Sequence, residues 1–222
     1  MAQRLIVEGI NDAITIGDFW KSCGLKDVKG HEGKDEFKKF AKPSNSKDQL
    51  KKDLRLILKG DLSDIESIGV VVDADQSPLS TWQSIKRILE AFGYTNLIST
   101  PPAEGIIITQ PPQPRIGVWI MPDNQNPGYL EHFFQTLIKA DDSLQLPVNT
   151  AIQALYDQNI VRFPDIRKQK AFVHTWLSWQ EMPGEPMGRT LKGKAGFFDL
   201  GQPNAQAFLA WSKQVFQFTE AE

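Results

Sequence analysis

The stretch Ile68-Gly69-Val70-Val71-Val72-Asp73-Ala74-Asp75 decides the fold. Its apolar residues run unbroken into one carboxylate, and a second follows two positions later. A strand with one wet face alternates apolar and polar residues. An unbroken apolar run implies burial on both faces, as in a parallel sheet covered by helices. The end of the run admits two readings. The acids close a strand and turn, with Asp75 capping the next helix, or they hold a metal ion.

Two further runs share this form. Arg4-Leu5-Ile6-Val7 ends at Glu8, and Arg115-Ile116-Gly117-Val118-Trp119-Ile120-Met121 is followed by Asp123. Between and around them lie helix patterns. Ile10, Ile14, Phe19 and Leu25 recur near helical spacing, with Gly24 as a stop. Residues 47–59 place Leu50, Leu54, Ile57 and Leu58 on one face. Residues 78–94 form a helix with Ser80 as N-cap and Gly93 near its end. The lysine-rich segment 26–46 reads as a short edge strand followed by a mobile basic loop. Pro101, Pro102, Pro111, Pro112 and Pro114 confine their segment to loops or an edge strand.

From Gly128 the pattern becomes helical, in segments 128–140, 149–159, 166–180 and 204–218. The expected fold is therefore α/β: a mainly parallel sheet flanked by helices over residues 1–125. A mostly helical C-terminal extension, residues 126–222, packs on that core as one compact unit.

The 222 residues suffice for a sizeable core. A formal net charge of -2 does not advertise nucleic-acid binding, so any basic surface must be local. The single cysteine, Cys23, excludes an internal disulfide and fits a cytoplasmic setting. The start, MAQRLIVEGIND, lacks the apolar region of a signal peptide, and no apolar run approaches the roughly 20 residues of a membrane span. His31, His132 and His174 show no zinc spacing with Cys23.

Parallel strands bring their carboxyl ends to one edge of a sheet, where ligands of open α/β folds bind. Glu8, Asp73 and Asp75 are expected to meet there. Crowded carboxylates repel, and each resists ionisation. A divalent cation removes the conflict, and a cluster of hard oxygen ligands suits Mg²⁺ or Mn²⁺.

Leu5-Ile6-Val7-Glu8-Gly9-Ile10-Asn11-Asp12, followed by Val70-Val71-Val72-Asp73-Ala74-Asp75-Gln76, resembles the Toprim domain. That domain is shared by topoisomerases, bacterial primases and the nuclease ends of the OLD (overcoming lysogenization defect) proteins. Its signature is a glutamate after the first strand and Asp-x-Asp after a later one. The likeness covers residues 4–125. With WIMPDN, GYLE and KAFVHTWLSWQEMPGEPMG, the whole chain resembles an uncharacterised bacterial Toprim-related family.

The resemblance implies a metal-dependent phosphodiester hydrolase acting on DNA or RNA. Glu8 takes the place of the motif glutamate, a metal ligand or general acid/base. Asp73 and Asp75 match the metal-binding pair, and Asp12 matches an acid of the OLD-type branch. Glu131 or Asp123 supplies the carboxylate for a second metal. Lys170 matches a lysine near the scissile phosphate, with Arg167 and Lys168 as competitors. The candidate nucleic-acid platform is the lysine set Lys34, Lys38, Lys39, Lys42, Lys47, Lys51, Lys52 and Lys59, with Lys38, Lys39, Lys42 and Lys51 as the named contacts.

The competing expectation is a non-catalytic module that binds metal or nucleotide and works with a separate ATPase. The chain itself has no Gly-x-x-x-x-Gly-Lys-Ser/Thr loop. Strand passage is disfavoured, since the only tyrosines are Tyr94, Tyr129 and Tyr156 and such machines need more domains.

Overall fold

The computed structural model describes residues 2–29, 31, 34–191 and 196–219, with the side chains of all but Lys34, Asp35 and Lys38. The strands are β1 (Ala2–Val7), β2 (Ala41–Pro43), β3 (Ile65–Asp73), β4 (Ile106–Ile108) and β5 (Arg115–Met121). The helices of the first half are α1 (Ile10–Ser22), α2 (Lys34–Phe40), α3 (Lys47–Lys59) and α4 (Pro78–Ala91). Those of the second half are α5 (Leu130–Thr136), α6 (Gln145–Asp157), α7 (Lys168–Ser178) and α8 (Pro203–Val215).

The strands form one sheet in the order β2-β1-β3-β5-β4. Neighbours are parallel except β4, which runs antiparallel to β5. The unbroken apolar run of β3 is thus central, with β1 and β5 on its two sides. The proline-rich passage yields only the short edge strand β4, as the missing amide donors require.

Side chains of a strand alternate between faces, and both faces here are covered. Ile6, Ile68, Val70, Val72 and Ile120 pack against Leu50, Leu54 and Leu58 of α3 and Trp82, Ile85 and Leu89 of α4. Leu5, Val7, Val71, Trp119 and Met121 face a layer built from α1, α5, α7 and α8, including Phe19, Phe133, Phe172, Phe208 and Trp211. The helical second half therefore supplies, together with α1, one of the two covering layers of the sheet.

Two glycines let that layer approach. Gly69 and Gly117 are register partners on β3 and β5. A Cβ on Gly69 would lie 2.2 Å from the Phe216 ring, and one on Gly117 would lie 2.2 Å from a Val215 methyl. Any larger residue would lift the end of α8 off the sheet.

Two local expectations are corrected. Residues 26–46 do not form a strand and then a loop. Helix α2 comes first and the edge strand β2 follows it, paired with β1 through Leu5 opposite Ala41. The cap of α4 is Ser77, whose hydroxyl accepts from the Ser80 amide at 3.1 Å, with Pro78 opening the helix. Asp75 does not cap that helix. Among the described residues, no helix is long and apolar enough to cross a membrane.

Candidate metal centre

Glu8 follows β1 and Asp73 ends the adjacent β3, so both emerge at the carboxyl edge of the sheet. Glu8 Oε1 accepts a hydrogen bond from the Asp73 amide at 2.9 Å. Asp73 Oδ1 in turn accepts from the Leu130 amide at 3.1 Å, where α5 begins. Asp12 sits in the first turn of α1, and its Oδ2 reaches back to accept from the Gly9 amide at 2.8 Å. An acid there also suits the positive end of the helix. Glu131, in the first turn of α5, lies 2.7 Å from Lys170 Nζ of α7.

Asp75 is held by its backbone. Its φ is +55°, and its amide and carbonyl both pair with Gly128, at 3.0 and 2.8 Å. Its Oδ2 lies 2.6 Å from Lys47 Nζ, which also donates to Thr81 Oγ1 at 3.0 Å. Each of the five acids thus commits one oxygen. Among the described residues, the other oxygen of each takes no hydrogen bond or ion pair.

Their mutual influence appears in their acidity. The Asp73 carboxyl is pushed up to about 8, first by burial, then by the charges of Glu8, Asp12, Glu131 and Asp75. Glu8 is also raised, by burial above all. The Asp73 amide and Lys47 oppose that shift, while Asp75 and Asp12 add to it. Asp12 is raised by burial and by Glu131, against the Gly9 amide and Lys170. Five carboxylates share one edge of the sheet, with Lys47 and Lys170 as their paired cations.

Glu131, and not Asp123, is the acid brought to Asp73 from beyond β5. Asp123 spends both oxygens on its own turn. Oδ1 accepts from the Gln125 and Asn126 amides at 3.0 and 2.8 Å, and Oδ2 accepts from the Asn126 side chain at 2.7 Å.

Three of the basic candidates are paired with acids of this chain. Lys39 pairs with Glu36, and Lys51 with Asp48 at 2.7 Å. Lys42 lies 3.1 Å from Asp53, which is buried and also accepts from Ser44 at 2.7 Å. Burial opposes ionisation of Asp53, yet hydrogen bonds from Ser44, Lys42 and Gln49 hold its carboxyl below the usual range. The Lys38 side chain lies outside the described residues.

Sequence reasoning marks Lys47 only as one of several candidate nucleic-acid lysines and gives Tyr129 no role at the site. Both line an open recess of about 630 Å³ beside Asp75, together with Ser77, Ser80 and Thr81. Burial pushes the Cys23 thiol up to about 11, so it stays protonated and unreactive.

The donor set, all hard carboxylate oxygens, fits Mg²⁺ or Mn²⁺. Among the described residues, no three His, Cys, Asp or Glu side chains are arranged to grip an ion as they stand. Lys47 and Lys170 each hold one oxygen of this acid set, on Asp75 and Glu131.

A family model described as "Protein of unknown function (DUF3226)" matches residues 2–217. No match was found among curated proteins or among solved structures.

Proposed function

The chain belongs to the DUF3226 family, and from that premise we propose that it is a metal-dependent phosphodiester hydrolase acting on nucleic acid. The observation that carries this reading is Asp73. It is a carboxyl at the end of a central parallel strand, raised to about 8 by burial and by four neighbouring acids. Perturbed carboxyls in such a position are costly to stability and are characteristic of functional sites. The likeness of the Glu8 and Asp73-Ala74-Asp75 segments to Toprim motifs supports the same reading.

In this proposal Glu8, Asp73 and Asp75 hold Mg²⁺ or Mn²⁺, with Asp12 and Glu131 placed for a second ion. A bound ion would offset the phosphate charge and make a water more acidic. As an alternative to holding the ion, Glu8, whose carboxyl is raised above all by burial, is placed for proton transfer through its uncommitted oxygen. Lys170, half-exposed beside Glu131, is placed to meet a phosphate oxygen. Lys47 pairs with Asp75 where both line the cleft.

One observation favours the second reading, a module that works with a separate ATPase. Lys39, Lys42 and Lys51 are each paired with an acid of the same chain. A partner would then supply the wide basic surface that long nucleic acids require.

The test is cleavage of labelled DNA and RNA with Mg²⁺ or Mn²⁺, by wild type, Asp73→Asn and Asp73→Ala purified in parallel. The proposal expects cleavage by wild type alone. Equal cleavage by all three would assign the activity to a contaminant. Cleavage that needs both Asp73 and an added ATPase partner favours the second reading.

A further inference from the structure

A second recess, of about 520 Å³, lies beside the one already described. Asp75, Gln76, Tyr129 and Ile166 line both, so the two meet along these residues. Each volume is typical of a site for a small organic group. Lys47 and Lys51 stand in the first recess and Lys168 in the second. Two acids share this groove, and both are engaged: Asp75 by Lys47, and Asp165 by the Tyr156 hydroxyl at 2.9 Å.

Tyr129 stands where the recesses join. Its ring is half-buried and packs on His132 at 5.5 Å between centroids. Among the described residues its hydroxyl takes no hydrogen bond. Ile166 next to it is 46% exposed, an apolar surface beside a polar cleft. Lys168 has no carboxylate partner among the described residues. Its ammonium lies over the Tyr156 ring, 5.0 Å from the centroid.

We infer that this groove holds an unpaired strand of nucleic acid, with a base against Tyr129 and phosphates at Lys47 and Lys168. The inference rests on the hydrolase reading and gives its substrate class. Two features favour a single strand over a duplex, and a third ties the groove to the acids. An aromatic face recognises a base only when that base is unstacked. The cations are few and line a cleft, whereas duplex binding draws on many phosphate contacts over a broad face. Asp75 lines both recesses, so a chain lying through them passes the acid cluster.

The test uses the full-length Asp73→Asn protein, so that binding is read apart from cleavage. The probes are a short fluorescein-labelled oligothymidylate and a blunt duplex of the same length, followed by fluorescence anisotropy. The single strand should bind at least about tenfold tighter than the duplex, and Tyr129→Ala should remove about tenfold of that affinity. Tyr129→Phe keeps the ring and should bind like its parent, which separates stacking from misfolding. Lys168→Ala should weaken binding and lower the salt slope by about one. Equal or tighter duplex binding, an indifferent Tyr129→Ala, or no binding of either probe overturns the inference. Cleavage by wild type is scored separately. If wild type cleaves only duplex and Tyr129→Ala binds as its parent does, the inference fails and the hydrolase reading stands. If no Asp73-dependent cleavage occurs yet strand binding needs Tyr129, the groove stands and the hydrolase reading fails.

Discussion

Glu8 Oε1 accepts a hydrogen bond at 2.9 Å from the amide of Asp73, although 65 positions separate the two residues. The bond fastens the acid after β1 to the backbone of the acid that ends β3. It leaves the second oxygen of Glu8 uncommitted and sets its charge beside a carboxyl that burial already disfavours.

The first prediction concerns pH. The Asp73 carboxyl titrates near 8 in the folded protein against an ordinary value of 3.8. Between those values the folded state keeps a proton that the unfolded state has released. Stability from this group is therefore present at low pH and is lost as pH rises toward 8. In EDTA the melting temperature of wild type should fall from pH 6 to pH 8. Asp73→Asn keeps the acceptor for Leu130 without the charge. It should flatten that fall and gain about 2 kcal/mol at pH 8. A variant less stable than wild type at pH 8 would count against the buried-charge account.

The second prediction concerns the sheet–helix contact. Gly69→Ala places a methyl 2.2 Å from the Phe216 ring. It should cost about 1–3 kcal/mol in urea unfolding, because the end of α8 must shift. An unchanged midpoint would mean that α8 does not bear on β3 as described.

A third prediction separates two lysines. Lys42 supports the buried Asp53. Lys42→Ala should lower stability by about 1 kcal/mol and leave oligonucleotide affinity unchanged. Lys47→Ala should weaken binding in titrations with a labelled single strand. Equal effects on binding would place Lys42 in the groove.

These contrasts mark what was legible in the sequence. The strands β3 and β5 declare themselves because burial on both faces demands unbroken apolar runs, and a carboxylate at the end of such a run fixes its place at the sheet edge. The meeting of Glu8 with Asp73 follows from parallel topology alone. Helix α2 was hidden because Phe37 and Phe40 are its only large apolar residues within a run of charges. An edge strand is expected within residues 26–46 but is placed too early, because Ala41, Lys42 and Pro43 carry no apolar run to mark β2. Glu131 and Asp123 were indistinguishable by position. Turn chemistry separates them, since only Asp123 is followed by amides that absorb its oxygens. Lys47 stands out only as one lysine among several; its pairing with Asp75 is not legible, because that partner is chosen by tertiary packing.

A fourth prediction concerns Lys170. Lys170→Ala should slow metal-dependent cleavage by about 10²-fold or more at saturating substrate. It also leaves Glu131 without its ion pair, facing Asp12. The acid limb of the pH–rate profile should then move upward, which the loss of a distant lysine would not cause. An unchanged profile with an unchanged rate would leave Lys170 a surface residue.

The central claim is that Glu8, Asp73 and Asp75 form a divalent-cation site. Crystals of the protein soaked in Mn²⁺ and measured at a wavelength where manganese scatters anomalously test it directly. The account predicts an anomalous peak at roughly 2.0–2.3 Å from oxygens of Asp73 and at least one of Glu8 and Asp75, with Lys47 displaced from Asp75. No peak at this edge of the sheet in millimolar Mn²⁺, with Lys47 still on Asp75, would contradict it.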